Sequence, residues 1–354
     1  MKHLDHSPGH TNEYLPRCVP WQSRYREGVL QLFSDVTHKR QLWDWQFQSN
    51  PFGFRFDSVV LVDRKDQVVG FNGVMPVMAS DRGAELPVLW SCDFFLAPAW
   101  RGKGLGSEIK HELHKKAPVI MAFGISDRAS EVLKHLGWVQ DISVESYRMI
   151  RKVGGWRSWA FMALQLANRV ARGILSLRWL ATVPKDLHLS VRSSLPARDT
   201  VDSLWRACAE SYERVVVRDY RYLDWRYQKH PLARYAFVRA ERAGELEGIL
   251  VVRTHGEQLR IVDYVGPGDN RQVKQELINY AVKCFRHQTQ ISAVTSDSQF
   301  GDCLQASGFI RLRRKPGFFR YEKEPSDARW FIMAGDSDGE FLQASSDFCY
   351  RGAL

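Results

Sequence analysis

The chain repeats itself, and the repeat limits what it can fold into. Trp43-Asp44-Trp45-Gln46-Phe47-Gln48-Ser49-Asn50-Pro51 recurs as Leu223-Asp224-Trp225-Arg226-Tyr227-Gln228-Lys229-His230-Pro231, with Asp, Trp, Gln and Pro at identical offsets, 180 positions apart. A strand-turn-strand pattern follows each copy. In the first, two apolar runs, 58–62 and 68–71, flank Arg64-Lys65-Asp66; in the second, 235–238 and 246–250 flank Ala243-Gly244. Further on, Asp93-Phe94-Phe95-Leu96-Ala97-Pro98 is echoed by Asp263-Tyr264-Val265-Gly266-Pro267, and Leu136-Gly137-Trp138-Val139 by Ser307-Gly308-Phe309-Ile310. Four correspondences in one order predict two copies of one α/β unit, each about 130 residues long. The expected class is α/β of the α+β-like kind, with helices flanking a mixed, mostly antiparallel twisted sheet in each copy. The expected segments are a flexible start over 1–14, a first unit over 15–150, an amphipathic linker helix over 151–185, a second unit over 186–325 and a tail over 326–354.

The copies differ where chemistry is expected. After Pro98 the first reads Trp100-Arg101-Gly102-Lys103-Gly104-Leu105-Gly106, between an apolar strand pattern and a helical one. Glycines let a backbone approach a phosphate closely, and the free N–H groups of a helix start favour its negative charge. After Pro267 the second copy reads Gly268-Asp269-Asn270-Arg271-Gln272-Val273-Lys274 and has lost those glycines. One copy is therefore expected to bind a phosphate-bearing ligand and the other to support it.

Bulk properties narrow the partners. The formal net charge is +10, which suits nucleic acid, an anionic membrane surface or a polyanionic small molecule. No Lys/Arg-rich block with interleaved aromatics appears, so nucleic acid is not expected. The six cysteines lack CxxC spacing, which argues against a zinc ribbon or a disulfide framework and fits a reducing cytoplasm. The polar start Met1-Lys2-His3-Leu4-Asp5-His6 lacks an apolar signal region, and no run of about eighteen apolar residues suggests a membrane span. Between the copies, Trp156, Trp159, Ala163, Leu166, Val170, Ile174, Leu177 and Ala181 recur at helical spacing, with Arg157, Arg169 and Arg172 on the other side. Two readings of 156–182 stand open: a helix lying on an anionic membrane, at the inner face of the cytoplasmic membrane, or a connector packed against one unit.

Residues 58–145 resemble the GNAT superfamily, which transfers an acyl group from acyl-coenzyme A to an amine. The family loop, Arg/Gln-x-x-Gly-x-Gly/Ala after the fourth strand, is matched by Arg101-Gly102-Lys103-Gly104-Leu105-Gly106, and Leu136-Gly137-Trp138 resembles the family's Leu-Gly-Phe turn. The whole chain resembles tandem-GNAT proteins of bacterial surface-polysaccharide pathways and, more loosely, two-domain Fem-type aminoacyltransferases. The tail from Arg329 to Asp338 is similar to a terminal segment of the polysaccharide-associated group. The resemblance implies acetyl-CoA or another acyl-CoA as co-substrate, no metal, and an amine acceptor such as an amino sugar. Rival readings are a coenzyme-A-binding scaffold without turnover and aminoacyl transfer.

The resemblance also assigns residues. Phe95 and Leu96 would pair with the pantetheine arm, and the amides from Gly102 to Gly106, with Arg101, Lys103 and Leu105 in the same loop, would hold the pyrophosphate. Asp93 falls where the family places a carboxylate general base; its alternative is a structural aspartate, since Asp263 survives in the other copy. Leu133 stands where the family often has a tyrosine acid, so Ser126 is the candidate donor to the departing thiolate, or else a helix cap. Trp45 and Asn50 border the expected acceptor pocket, with shared packing as the alternative because Trp225 and His230 echo them. Asp336 and Asp338 are candidate acceptor or calcium ligands, although no glutamate stands at the twelfth position of such a loop. His111 and His114 are expected to lie on a solvated face.

Overall fold

The computed structural model describes residues 15–36, 38–52, 58–125, 127–152, 159–167, 170 and 186–337. The first sheet is built on β1 (Arg17–Pro20), β2 (Val59–Val62), β3 (Val68–Asp81), β4 (Ala84–Leu96), β5 (Val119–Ala122) and β6 (Val139–Gln140); β7 (Glu145–Ile150) follows. The second half contributes β8 (Leu187–Arg192), β9 (Arg214–Val216), β10 (Tyr235–Arg242), β11 (Glu245–His255), β12 (Gln258–Val265), β13 (Gln290–Thr295), β14 (Ile310–Arg311), β15 (Phe319–Glu322) and β16 (Trp330–Phe331). The helices are α1 (Arg26–Leu32), α2 (Lys39–Trp43), α3 (Leu105–His114), α4 (Asp127–His135), α5 (159–167), α6 (Arg198–Cys208), α7 (Tyr220–Leu223), α8 (Arg271–Cys284) and α9 (Ser298–Ala306). Both sheets are mixed and mostly antiparallel. The one parallel pair along the main path of each is β4 with β5 and β12 with β13.

The halves exchange strands. The first sheet runs β1-β2-β3-β4-β5-β15-β6 and the second β14-β7-β13-β12-β11-β10-β8. Thus β15, from the second half, lies between β5 and β6, and β7, from the first, lies between β13 and β14. The long β3–β4 hairpin, turned at Arg82 and Gly83 with both φ positive, adds a further link: the end of β3 pairs with β9, and Arg214 of β9 bridges Asp81 and Glu322. One apolar core accordingly runs through both halves, from Trp43, Phe71 and Trp90 to Tyr227, Val251 and Phe309. A second core, with Leu105, Ile109, Leu133 and Trp138, fills the space between the first sheet and helices α3 and α4.

The repeated Asp-Trp segments meet across an approximate twofold. In each, a short helix runs into a π-helical turn, Asp44–Gln48 or Asp224–Gln228, closed by the bonds from Ser49 N–H to Asp44 O (2.7 Å) and from Lys229 N–H to Asp224 O (2.8 Å). The turn places a tryptophan at the seam from either side. Trp45 Nε1–H donates to Trp225 O at 2.7 Å and Trp225 Nε1–H to Trp45 O at 2.9 Å, with the rings stacked 5.4 Å apart. Such rings bury a large apolar area, and each indole N–H finds a carbonyl partner.

Five residues past each tryptophan the copies do the same job with different side chains. Asn50 Oδ1 accepts from Phe52 N–H, while His230 Nδ1 accepts from Leu232 and Ala233 N–H. His230 is buried against Trp45, ring centroids 4.4 Å apart. Burial, with Arg226 and Arg253 near, pushes its pKa from the ordinary 6.5 down to about 3. The unfolded chain therefore binds this proton more readily, so stability is full above pH 6.5 and is lost as pH falls toward 3, by up to about 1.4 kcal/mol per pH unit. His114, pushed down to about 4 by burial first and by His111, adds the same sign between 6.5 and 4. His230→Asn, which installs the other copy's acceptor, should flatten this dependence. Melting temperature between pH 7 and 4 is expected to fall less in the variant than in the parent; equal slopes would exclude His230 as a source.

Candidate functional site

β4 is bent by a bulge at Asp93. Its register against β3 passes from Gly73↔Cys92 to Phe71↔Phe95, so that Asp93 and Phe94 together face Asn72, and Asp93 adopts φ +49°. A bulge re-aims a side chain, and here it turns Asp93 toward α2. Lys39 Nζ and Gln46 Nε2 (3.0 Å) both donate to Asp93 Oδ2, and Lys39 also donates to Gln46 Oε1 at 2.8 Å. The Lys39 side chain is buried, its ammonium also facing the rings of Phe33 and Phe47. Asp93 Oδ1 accepts no hydrogen bond among the described residues and the side chain remains partly exposed. The carboxylate is thus oriented through one oxygen and left without a hydrogen-bond partner at the other among the described residues.

Next to the bulge, the sheet opens. β4 and β5 pair only from Val88↔Val119 to Trp90↔Met121. β5 ends at Ala122 while β4 continues to Leu96, leaving the 91–96 edge unpaired on that side among the described residues. At its far end lies the glycine loop. Gly102 and Gly104 take φ +76° and +79°, with open space where a Cβ would stand. The backbone conformation, not crowding, calls for glycine there. Gly104 starts α3 and has no side chain to cap it; Ser107 N–H turns back to Gly104 O at 2.9 Å, while the Leu105 and Gly106 amides ahead of it have no backbone partner among the described residues. Arg101 Nε–H donates to Leu96 O at 2.8 Å and its guanidinium lies over Phe95; the Lys103 ammonium lies over Trp100. Loop and strand edge together suit a ligand that is a phosphate at one end and strand-like at the other.

The second half keeps the scaffold and fills the opening. β12 and β13 also part, after Ile261↔Ala293. There the tail lies against both strands: Met333 bridges Thr295, Ser296 N–H donates to Ile332 O at 2.9 Å, and Phe331 packs on Tyr212 and Tyr264. α8 is capped by Asn270, and Lys274 is drawn inward to Gly268 O and Asp297. Asp263 is fully buried, accepting from Arg218 Nε–H (2.9 Å) and Tyr227 O–H (2.7 Å). The same bulge-side aspartate is therefore open in one copy and sealed in the other.

Several residues singled out in the sequence take other work. Trp45 is buried at the seam against Trp225 and His230. Asn50 is buried, its amide donating to Pro76 O at 2.9 Å. Asp336 is buried on Arg218 (2.7 Å) and Met333 N–H, with burial pushing its carboxyl up to about 6 against the guanidinium's pull. It is a core partner of the second half and is not open to an acceptor. His114 is not solvated: it accepts from Trp138 Nε1–H and stacks on Tyr321 at 3.6 Å. Leu133 is buried in the apolar core. Ser126 and Asp338 lie outside the described residues. Among the described residues no His, Cys, Asp and Glu cluster suits a metal ion. Lys39 and Gln46 were not anticipated. The signal was a position in the Asp-Trp segment where the copies differ in charge, Gln46 against Arg226.

No family model matches the chain, and no curated protein matches its sequence. Solved structures match its shape. A probable N-acyltransferase from Enterococcus faecalis V583 aligns over 87% of this chain and 72% of its own, with TM-score 0.61 and 12% identity. A GCN5-related N-acetyltransferase from Anabaena variabilis aligns over 86% and 72%, with TM-score 0.58 and 12% identity. Saccharomyces cerevisiae N-myristoyltransferase with bound myristoyl-CoA aligns over 90% and 85%, with TM-score 0.51 and 11% identity. The likeness is one of fold.

Gly104→Glu should abolish binding of a phosphate-bearing ligand by bringing an anion to the cradle; because φ +79° also strains any side chain there, its melting temperature is compared with that of Gly104→Ala, which carries the strain without the charge and should keep more of the binding. If the cradle takes a phosphate-bearing ligand such as an acyl-CoA, calorimetric titration of the parent should give one per chain. A stoichiometry of two would contradict the filled second opening.

Proposed function

We propose that this chain, which has the GNAT fold in two joined copies, is an acyl-CoA-dependent N-acyltransferase whose first half carries the reaction. The observation that supports it most is the contrast between the halves: an open strand edge, an uncapped glycine loop and a half-engaged Asp93 on one side, and the same three features filled or sealed on the other. The loop amides and Arg101 and Lys103 would hold the pyrophosphate, and the 91–96 edge would pair with the pantetheine arm, bringing the thioester toward Asp93.

Acyl transfer to an amine needs a neutral nucleophile, stabilisation of the tetrahedral oxyanion and departure of the thiolate. Asp93 Oδ1, free and next to the opening, takes the proton from the incoming ammonium directly or through a water. Lys39 and Gln46 hold Oδ2 and so aim Oδ1; they are positioning residues. The amine nitrogen then bonds to the thioester carbon, the carbon–sulfur bond breaks, and the sulfur leaves as thiolate, which takes up the proton that the nitrogen must still lose to become a neutral amide, directly or through water. Acetyl-CoA is the proposed donor. The proposed acceptor is an amino sugar of a surface polysaccharide, which rests on the sequence resemblance alone. The scaffold reading without turnover is disfavoured by the open, oriented carboxylate.

Asp93→Asn preserves shape and removes the base. It should leave acetyl-CoA affinity within a few-fold and lower kcat by roughly 10²–10⁴. An unchanged rate, with an amine acceptor found by mass-spectrometric screening, would remove Asp93 from the mechanism; failure of the parent to bind any acyl-CoA would remove the proposed function itself.

A further inference from the structure

A connector between two halves of a protein is expected to bury its apolar face. α5 does the reverse. Trp159, Leu166 and Val170 are 65%, 64% and 55% exposed, and Ala163 between them is exposed too. Trp159, Ala163 and Leu166 stand at steps of four and three on α5, so they form one stripe, and the exposed Val170 stands at the next step of four in the sequence. Leu164 beside it is also exposed. The opposite side holds the helix to the protein: Phe161 and Met162 are half-buried, and Gln165 clamps the end of β7, accepting from Ile150 N–H at 3.0 Å and donating to Ile150 O at 3.2 Å. The stripe therefore points outward from a fixed anchor. The other positions named for this segment, 156–158, 168–169 and 171–182, lie outside the described residues.

The charge carried by this segment of the sequence selects what covers the stripe. From 151 to 185 the sequence holds seven Lys and Arg residues and no acid. A second copy docking face to face would bring two such basic segments together. An anionic lipid surface offers hydrocarbon to the stripe and phosphate to the cations. No helix among the described residues is long and apolar enough to cross a membrane, so the contact is peripheral. We propose that α5 is the site by which the protein lies on an anionic membrane surface, with Trp159, Leu166 and Val170 entering the headgroup boundary.

The test is co-sedimentation of the full chain with vesicles of phosphatidylcholine alone or mixed with phosphatidylglycerol. Binding is expected to the mixed vesicles, to fall steeply between 0.05 and 0.5 M salt (about a threefold shortening of the screening length), and to weaken roughly tenfold or more in Leu166→Glu. Both side chains being exposed, Trp159→Glu and Leu166→Glu should keep the parent's circular dichroism spectrum and melting temperature. Absence of binding at low salt overturns the proposal, as does binding that Trp159→Glu and Leu166→Glu leave intact. A dimer in sedimentation equilibrium that Leu166→Glu dissociates, with no vesicle binding, assigns the stripe to a second copy and overturns it as well. None of these readouts depends on catalysis, so the outcome is independent of the proposed activity.

Discussion

The reciprocal bond between Trp45 and Trp225 is the contact on which the architecture turns. Each indole N–H satisfies a carbonyl that the partner's π-helical turn leaves open, and the stacked rings exclude water from both bonds. Because the interaction is the same from either side, it sets the halves about an approximate twofold. That arrangement brings the open flank of each sheet next to the other half's closing strand. The exchange of β7 and β15 follows from it, and so does the single core shared by both halves. A strand buried between two strands of the other sheet cannot leave without exposing a ladder of unpaired backbone groups, which is costly away from water.

Equivalence at the seam permits divergence elsewhere. Once the scaffold is held by two copies, only one must keep its opening between the parallel strands. The first keeps glycines at positive φ, an uncapped helix start and an aspartate held by one oxygen. The second spends the same ground on stability, with a capped helix, an inward lysine and a tail laid against the parted strands. The price is a buried charge cluster, Arg218 with Asp263 and Asp336, that remains satisfied only while the tail stays seated. Removing one partner of such a cluster strands a charge in a dry site. Gly335 shows how closely the tail is seated, since a Cβ there would meet the Tyr227 hydroxyl.

Much of this was legible in the chain. The duplicated Asp-Trp segment, the β4 strand with its following Arg-Gly-Lys-Gly-Leu-Gly loop, and the loss of glycines in the second copy all come from local spacing, and local spacing governs helix starts and tight turns. The acceptor-side assignments did not survive in the same way. Trp45, Asn50 and Asp336 are polar or aromatic residues in loops and short turns, where pattern does not distinguish a side chain facing a pocket from one facing another part of the fold. Lys39 lies 54 positions from Asp93, and nothing in its neighbourhood announces the pairing.

What the amino-acid sequence determined by itself was the pair of related units and the difference between their loops, because repeats and glycine spacing are written in adjacent residues. The tertiary structure alone decided three things: which strands cross between the halves, which aspartate keeps a free oxygen, and which way the apolar stripe of α5 faces. Each depends on contacts between residues far apart in the chain. Burial is a property of the assembled neighbours, and corresponding aspartates, one in a bulge and one just past a bulge, are open or sealed according to what the rest of the chain lays against them.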